Sequence, residues 1–129
     1  MLAKTLPLLL LCACASTAPL PIADQPELAR IAQPYAEQLQ AVGITRVISP
    51  GNGAMVRLET GYGSVYVRYP PMARPLAFEL DIGADGVHAK AATFDPAAES
   101  QMLAALVPEA VRMTATNNGF AWLRANPWH

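Results

Sequence analysis

The side chains best placed to move a proton are Asp81 and His88, seven positions apart on either side of "IGADGV", Ile82 to Val87. Gly83-Ala84-Asp85-Gly86 reads as a tight hairpin turn. Pairing Ile82 with Val87 then sets Leu80 opposite Ala89, Asp81 opposite His88 and Glu79 opposite Lys90. A slip by one residue would mix apolar and polar faces and is disfavoured. A carboxylate beside an imidazole orients the ring and raises its pKa, which is the start of acid–base chemistry. Opposite charges facing each other across a hairpin are also the ordinary way to stabilise a wet sheet face, and that reading is preferred here. No serine or cysteine stands beside a base, so nucleophilic catalysis has no support, and the chain is not read as an enzyme.

The same alternation extends the set. The turn around Gly61-Tyr62 pairs Leu58 with Val65 and Val56 with Val67, which places Arg57 opposite Tyr66 and Met55 opposite Arg68. The candidate binding face is therefore Arg57, Tyr66, Arg68, Glu79, Asp81, His88 and Lys90. The other chemistries are weaker. His88 and His129 are the only histidines, too few for a zinc site without carboxylates completing it. "GNG" and "GYG" match neither a P-loop nor a dinucleotide spacing and serve as turns. No cofactor is expected. Trp122 and Trp128 are read first as core aromatics and only second as a ligand-stacking surface.

These residues need a scaffold. "PELARIAQPYAEQLQAVG" carries Leu28, Ile31, Ala32, Tyr35, Leu39 and Val42 at helical spacing, with Asp24 as candidate N-cap and Gly43 as C′ residue. Pro34 lies inside that pattern and predicts a kink or two short helices. From Ile44 to Phe94 the period becomes two, as in "LAFELDI" and "VHAKAATF", the signature of an antiparallel sheet wet on one side. After Asp95-Pro96, an N-cap and first-turn pair, Met102, Leu103, Leu106 and Val107 form a helical stripe that Pro108 should end or kink. The expected fold class is α+β: an N-terminal helix, a four- to five-stranded antiparallel meander, and C-terminal helices packed on one face.

Bulk numbers agree with one domain. The chain has 129 residues, 9 Lys and Arg against 10 Asp and Glu, and a net charge of −1. That balance lacks the basic footprint of a nucleic-acid binder. Twelve prolines and eight glycines are spread along the chain, which favours many short elements.

Both cysteines, Cys12 and Cys14, precede the domain, so its body has neither a disulfide framework nor a thiolate zinc site. "MLAKTLPLLLLCACAS" has the order of a secretory leader: a short region with Lys4, an apolar run Leu6 to Leu11, then small residues. The run is too short to span a bilayer. Leu11-Cys12-Ala13-Cys14 resembles the lipobox of bacterial lipoproteins, with Cys14 as the first mature residue. The resemblance covers residues 1–14 alone. It implies a signal peptide at 1–13, diacylglycerol on the Cys14 thiol, acylation of the new amino terminus, and an anchor of several chains at ~0.8 kcal/mol per buried CH₂. In such proteins Asp after the lipidated cysteine marks inner-membrane retention; Ala15 and Ser16 stand here, which implies the outer membrane.

Residues 14–25, with Pro19 and Pro21, read as an extended tether, and 26–129 as a single domain. The expectation is a lipid-anchored outer-membrane protein facing the periplasm, a non-enzymatic binding or envelope-assembly module that meets a protein or cell-wall partner through its wet sheet face or a sheet edge. Two alternatives stay open: a small periplasmic enzyme using the Asp81/His88 face, and a soluble inhibitor released by ordinary cleavage after Ala15.

Overall fold

Five of the chain's strands sit where the period of two places them, but their neighbours in the sheet are not those of a meander. A computed structural model describes residues 22–126. The elements are β1 (Ala23–Asp24), α1 (Pro26–Ala32), a 3₁₀ turn (Gln33–Tyr35), α2 (Ala36–Ala41), β2 (Ile44–Pro50), β3 (Val56–Thr60), β4 (Gly63–Val67), β5 (Ala77–Gly83), β6 (Gly86–Ala91) and α3 (Pro96–Ala125). The architecture is α+β, with one six-stranded antiparallel sheet in the order β1-β6-β5-β2-β3-β4.

The expected meander is corrected in two respects. β2-β3-β4 run consecutively, but the chain then returns along one end of the sheet and inserts β5 on the far side of β2. Tyr69 fixes that return: its hydroxyl donates to the Arg74 carbonyl at 2.7 Å and accepts from the Leu76 amide at 3.1 Å. Ser49 Oγ, buried, donates to the Leu76 carbonyl at 2.6 Å. The second correction is β1, which adds a sixth strand by pairing Ala23 with Ala91 and Asp24 with Lys90. Ala23 and Asp24, expected in the tether, belong to the sheet, and Asp24 is a strand residue rather than an N-cap; Gln25 takes that position without a side-chain cap.

Residues 26–41 are not one helix. Pro34 has no amide hydrogen to continue the α ladder, and the chain tightens into a 3₁₀ turn between two short helices. Gly43 follows with φ +83°, the left-handed residue that ends the second. Three side chains fasten this segment to its surroundings. Gln33 Oε1 accepts from the Val87 amide at 3.0 Å, Gln40 Nε2 donates to the Gly83 carbonyl at 2.8 Å, and Asn118 Nδ2 donates to the Val42 carbonyl at 2.8 Å.

The C-terminal helices are likewise corrected to one. α3 runs 30 residues straight through Pro108. A proline deprives the carbonyl four residues earlier, that of Ala104, of its donor. Pro108 and Ala104 both lie on the exposed side, where water can serve that carbonyl. The buried stripe Met102, Leu103, Leu106, Val107, Ala110 and Thr114 continues past the proline without a break. Asp95 caps the helix as expected, its Oδ1 accepting from the Ala98 amide at 3.2 Å.

The core lies between this helical layer and one face of the sheet. Leu28, Leu39, Met102, Leu103 and Leu106 meet Val47, Val56, Leu58, Phe78 and Leu80, all at most 2% exposed. A bulge between Ile44 and Arg46 lets Ile44 and Val47, three apart, both point inward. Gly51 closes the β2 end: its φ is +87°, and a Cβ there would stand 2.6 Å from Ala77 Cβ.

Candidate functional site

The opposite face of the sheet carries the charge, and the register arranges it in two rows. One row crosses all six strands as Asp24, Lys90, Glu79, Ile48, Arg57 and Tyr66. The other runs His88, Asp81, Arg46, Glu59 and Ser64. Signs alternate along each row until a neutral residue interrupts, as cross-strand pairing favours.

Arg46 organises the second row. It sits on β2, in the middle of the sheet, with Nε 3.1 Å from Asp81 Oδ1, one terminal nitrogen 3.4 Å from Glu59 Oε1 and the other 3.8 Å from Glu79 Oε1. The three carboxylates, Asp81 foremost, hold its guanidinium pKa above the ordinary value. Of the expected face, Glu79 and Asp81 are therefore engaged by a residue the sequence reading left out.

The register expected for both hairpins is present, with Asp81 opposite His88, Glu79 opposite Lys90 and Arg57 opposite Tyr66. The Asp81–His88 acid–base pair is nevertheless corrected. His88 Nε2 lies 3.0 Å from Asp85 Oδ2, in the hairpin turn, while Asp81 turns to Arg46. The hydrogen bond with Asp85 raises the His88 pKa, and the same bond lowers that of Asp85. Both side chains are at least 70% exposed, so the pair is a solvated turn contact. Among the described residues no group of three or more His, Cys, Asp or Glu is placed to hold a metal ion.

The other half of the face differs. Arg57 and Arg68 form no ion pair among the described residues, and Arg57 Nε is buried without an acceptor. Beside Arg68 a groove of about 530 Å³ lies between β4, the 70–72 link and α3, lined by Met55, Tyr66, Arg68, Pro70, Met72 and Met113 among others. Met55, Tyr66 and Met72 are 49%, 52% and 86% exposed. A second hollow, sharing Tyr66 and Met113, continues along β4 to Phe120. Neither alternation nor turn spacing foretells this apolar trench. Its one legible sign was Met55 set opposite Arg68; Met113 lies far along the chain, and only the position of α3 joins them.

One further expectation is corrected. Phe120, Trp122 and Leu123 are not core; they are 59%, 45% and 52% exposed, because α3 outruns the sheet and only Ala121 of its last turns is buried. Glu99 stands in the first turn of α3, is 1% exposed, and its Oε2 accepts from the Asp95 amide at 3.2 Å. Burial raises its pKa.

Cys14, the expected signal peptide at 1–13, Trp128 and His129 lie outside the described residues. Among the described residues no helix is long and apolar enough to cross a membrane. Comparison of the chain with protein-family models, with curated proteins and with solved structures finds no match in any of the three.

Proposed function

We propose that this chain is a lipid-anchored protein of the outer membrane, facing the periplasm and acting as a non-enzymatic binding module. The anchor is Cys14, supported by the lipobox-like Leu11 to Cys14. The observation that carries the binding half is a contrast within one sheet. Around Arg46 the charged groups satisfy one another, whereas at the β4 end two arginines lack counter-charges and an apolar trench lies open. The partner class is a protein or cell-wall component, and no catalytic group is invoked.

The deciding experiment is mass spectrometry of the mature amino terminus together with membrane fractionation of the wild type and Cys14→Ala. The expected result is a diacylglycerol thioether on Cys14 and release of the variant from the membrane fraction. A mature chain beginning at Ser16, or a variant that fractionates like wild type, removes the anchor from this reading.

A further inference from the structure

We infer that the trench between β4 and α3 receives an extended, mostly apolar peptide segment bearing an acidic side chain, added to the sheet beside β4. The inference rests on the binding-module reading and names its site and partner.

The hydrogen-bonding parity of β4 comes first. Thr60 and Gly63 flank a two-residue turn and pair directly, so they exchange backbone hydrogen bonds. Antiparallel pairs alternate, hence Leu58–Val65 and Val56–Val67 are bonded while Glu59–Ser64 and Arg57–Tyr66 are not. Ser64 and Tyr66 therefore turn their N–H and C=O groups away from β3. β4 ends the sheet, so these groups face the open edge. The strand lacks the charged and proline gatekeepers common on edges: Gly63–Val67 contains no lysine, no proline and no charge.

The trench supplies the side-chain subsites. A strand laid on β4 alternates its side chains between two surroundings. One set meets Met113 and Phe120 of α3, both lining the trench, and these positions call for apolar side chains. The other set emerges on the wet face beside Tyr66 and Arg68, with Arg57 one strand further in.

Charge selects the occupant. Glu109, also at the trench, is held by Arg112 with Nε to Oε2 at 3.2 Å, so its carboxylate is already matched. Arg57 and Arg68 remain unmatched, which calls for a carboxylate from the partner. A second copy of this chain meeting edge to edge would bring Gly63–Val67 itself, which carries no acid, and its own α3 beside it. An acidic, apolar extended segment of another polypeptide meets both requirements.

The test uses the full lipidated chain purified from membranes in detergent. The probe is a blocked eight-residue peptide with valine at alternate positions, threonine at the others and one glutamate replacing a central threonine; its control carries lysine there. The expected result is slowed amide exchange at Ser64 and Tyr66 on adding the glutamate peptide, with the lysine peptide binding roughly tenfold more weakly. Arg68→Glu should reverse that preference. Ser64→Pro removes an outward N–H without touching the β3 pairing, so it should weaken binding while the thermal melt stays close to wild type.

Unchanged exchange at β4 under saturating peptide, or equal affinity for the two peptides, overturns the inference. So does a chain that sediments as a dimer with its β4 amides already protected. A partner that cross-links to His88 and Lys90 and leaves β4 exchange unaltered sinks the trench but keeps the binding-module reading. A chain found without lipid that still prefers the glutamate peptide keeps the trench and sinks the anchor.

Discussion

Arg46 Nε stands 3.1 Å from Asp81 Oδ1, bridging the two strands at the middle of the sheet. Its terminal nitrogens reach Glu59 on β3 and Glu79 on β5, so one cation spans three adjacent strands. The fork of the guanidinium suits this role better than an ammonium would. Because all four groups are substantially exposed, the cluster is screened by salt.

Arg46→Met should accordingly leave three carboxylates facing one another and lower the urea midpoint. The loss should be larger at low ionic strength than at high. Arg57→Met, which breaks no ion pair, is the control and should show no such salt dependence. Equal behaviour of the two variants would mean that the Arg46 cluster contributes nothing to the fold.

His88 gives a pH-dependent expectation. Its imidazole pKa is raised in the folded chain by the Asp85 carboxylate. A raised histidine pKa contributes stability that is fully present below the unfolded value, near 6.5, and lost as pH rises through the folded value. The NMR titration of His88 should therefore lie above that of an unpaired histidine, and Asp85→Asn should bring it down while Asp81→Asn moves it less. His88→Ala should hardly disturb folding, since the ring points to water. A large loss in a urea melt would place the ring inside the protein instead.

How much of this was legible beforehand depends on the range of the interaction. Both hairpin registers followed from alternation and turn spacing, because a shift by one residue would have turned Leu80 or Leu58 outward. The neighbour of β5 did not follow, since no local pattern says that it should pass β4 and pair with β2. That crossover is what brings Asp81 to Arg46 and away from His88. The trench escaped for the same reason: Tyr66 and Met113 meet only because α3 crosses behind β4. Pro108 misled for another, in that a proline weighs little where a continuous apolar stripe holds the helix and the orphaned carbonyl reaches water.

Glu99 offers a test of the buried side. Its folded pKa is raised, chiefly by burial, above the ordinary 4.5. Between the unfolded and folded values the native carboxyl keeps a proton that the unfolded chain has released, so stability falls as pH rises through that window. Glu99→Gln removes the titration and keeps an oxygen able to accept from the Asp95 amide. The variant should match or exceed wild type at neutral pH and lose the downward slope above about pH 4.5. If it melts well below wild type at neutral pH, the ionised carboxylate is needed at the helix start and the burial argument is wrong.

Pro108 closes the set because its cost should be recoverable. In a helix interior proline is less favourable than alanine by about 3 kcal/mol, through the lost hydrogen bond and the clash with the preceding turn. Here α3 stays continuous and the residue is exposed, so nothing in the core depends on the ring. Pro108→Ala restores a donor for the Ala104 carbonyl and should raise stability by about 1 to 3 kcal/mol, which for a domain of this size is several degrees in melting temperature. The variant should also leave binding at the trench unchanged if Met113, the next α3 residue lining it after Glu109, keeps its place. A fall in melting temperature would show instead that the proline shapes the helix and sets where Met113 and Phe120 stand against β4.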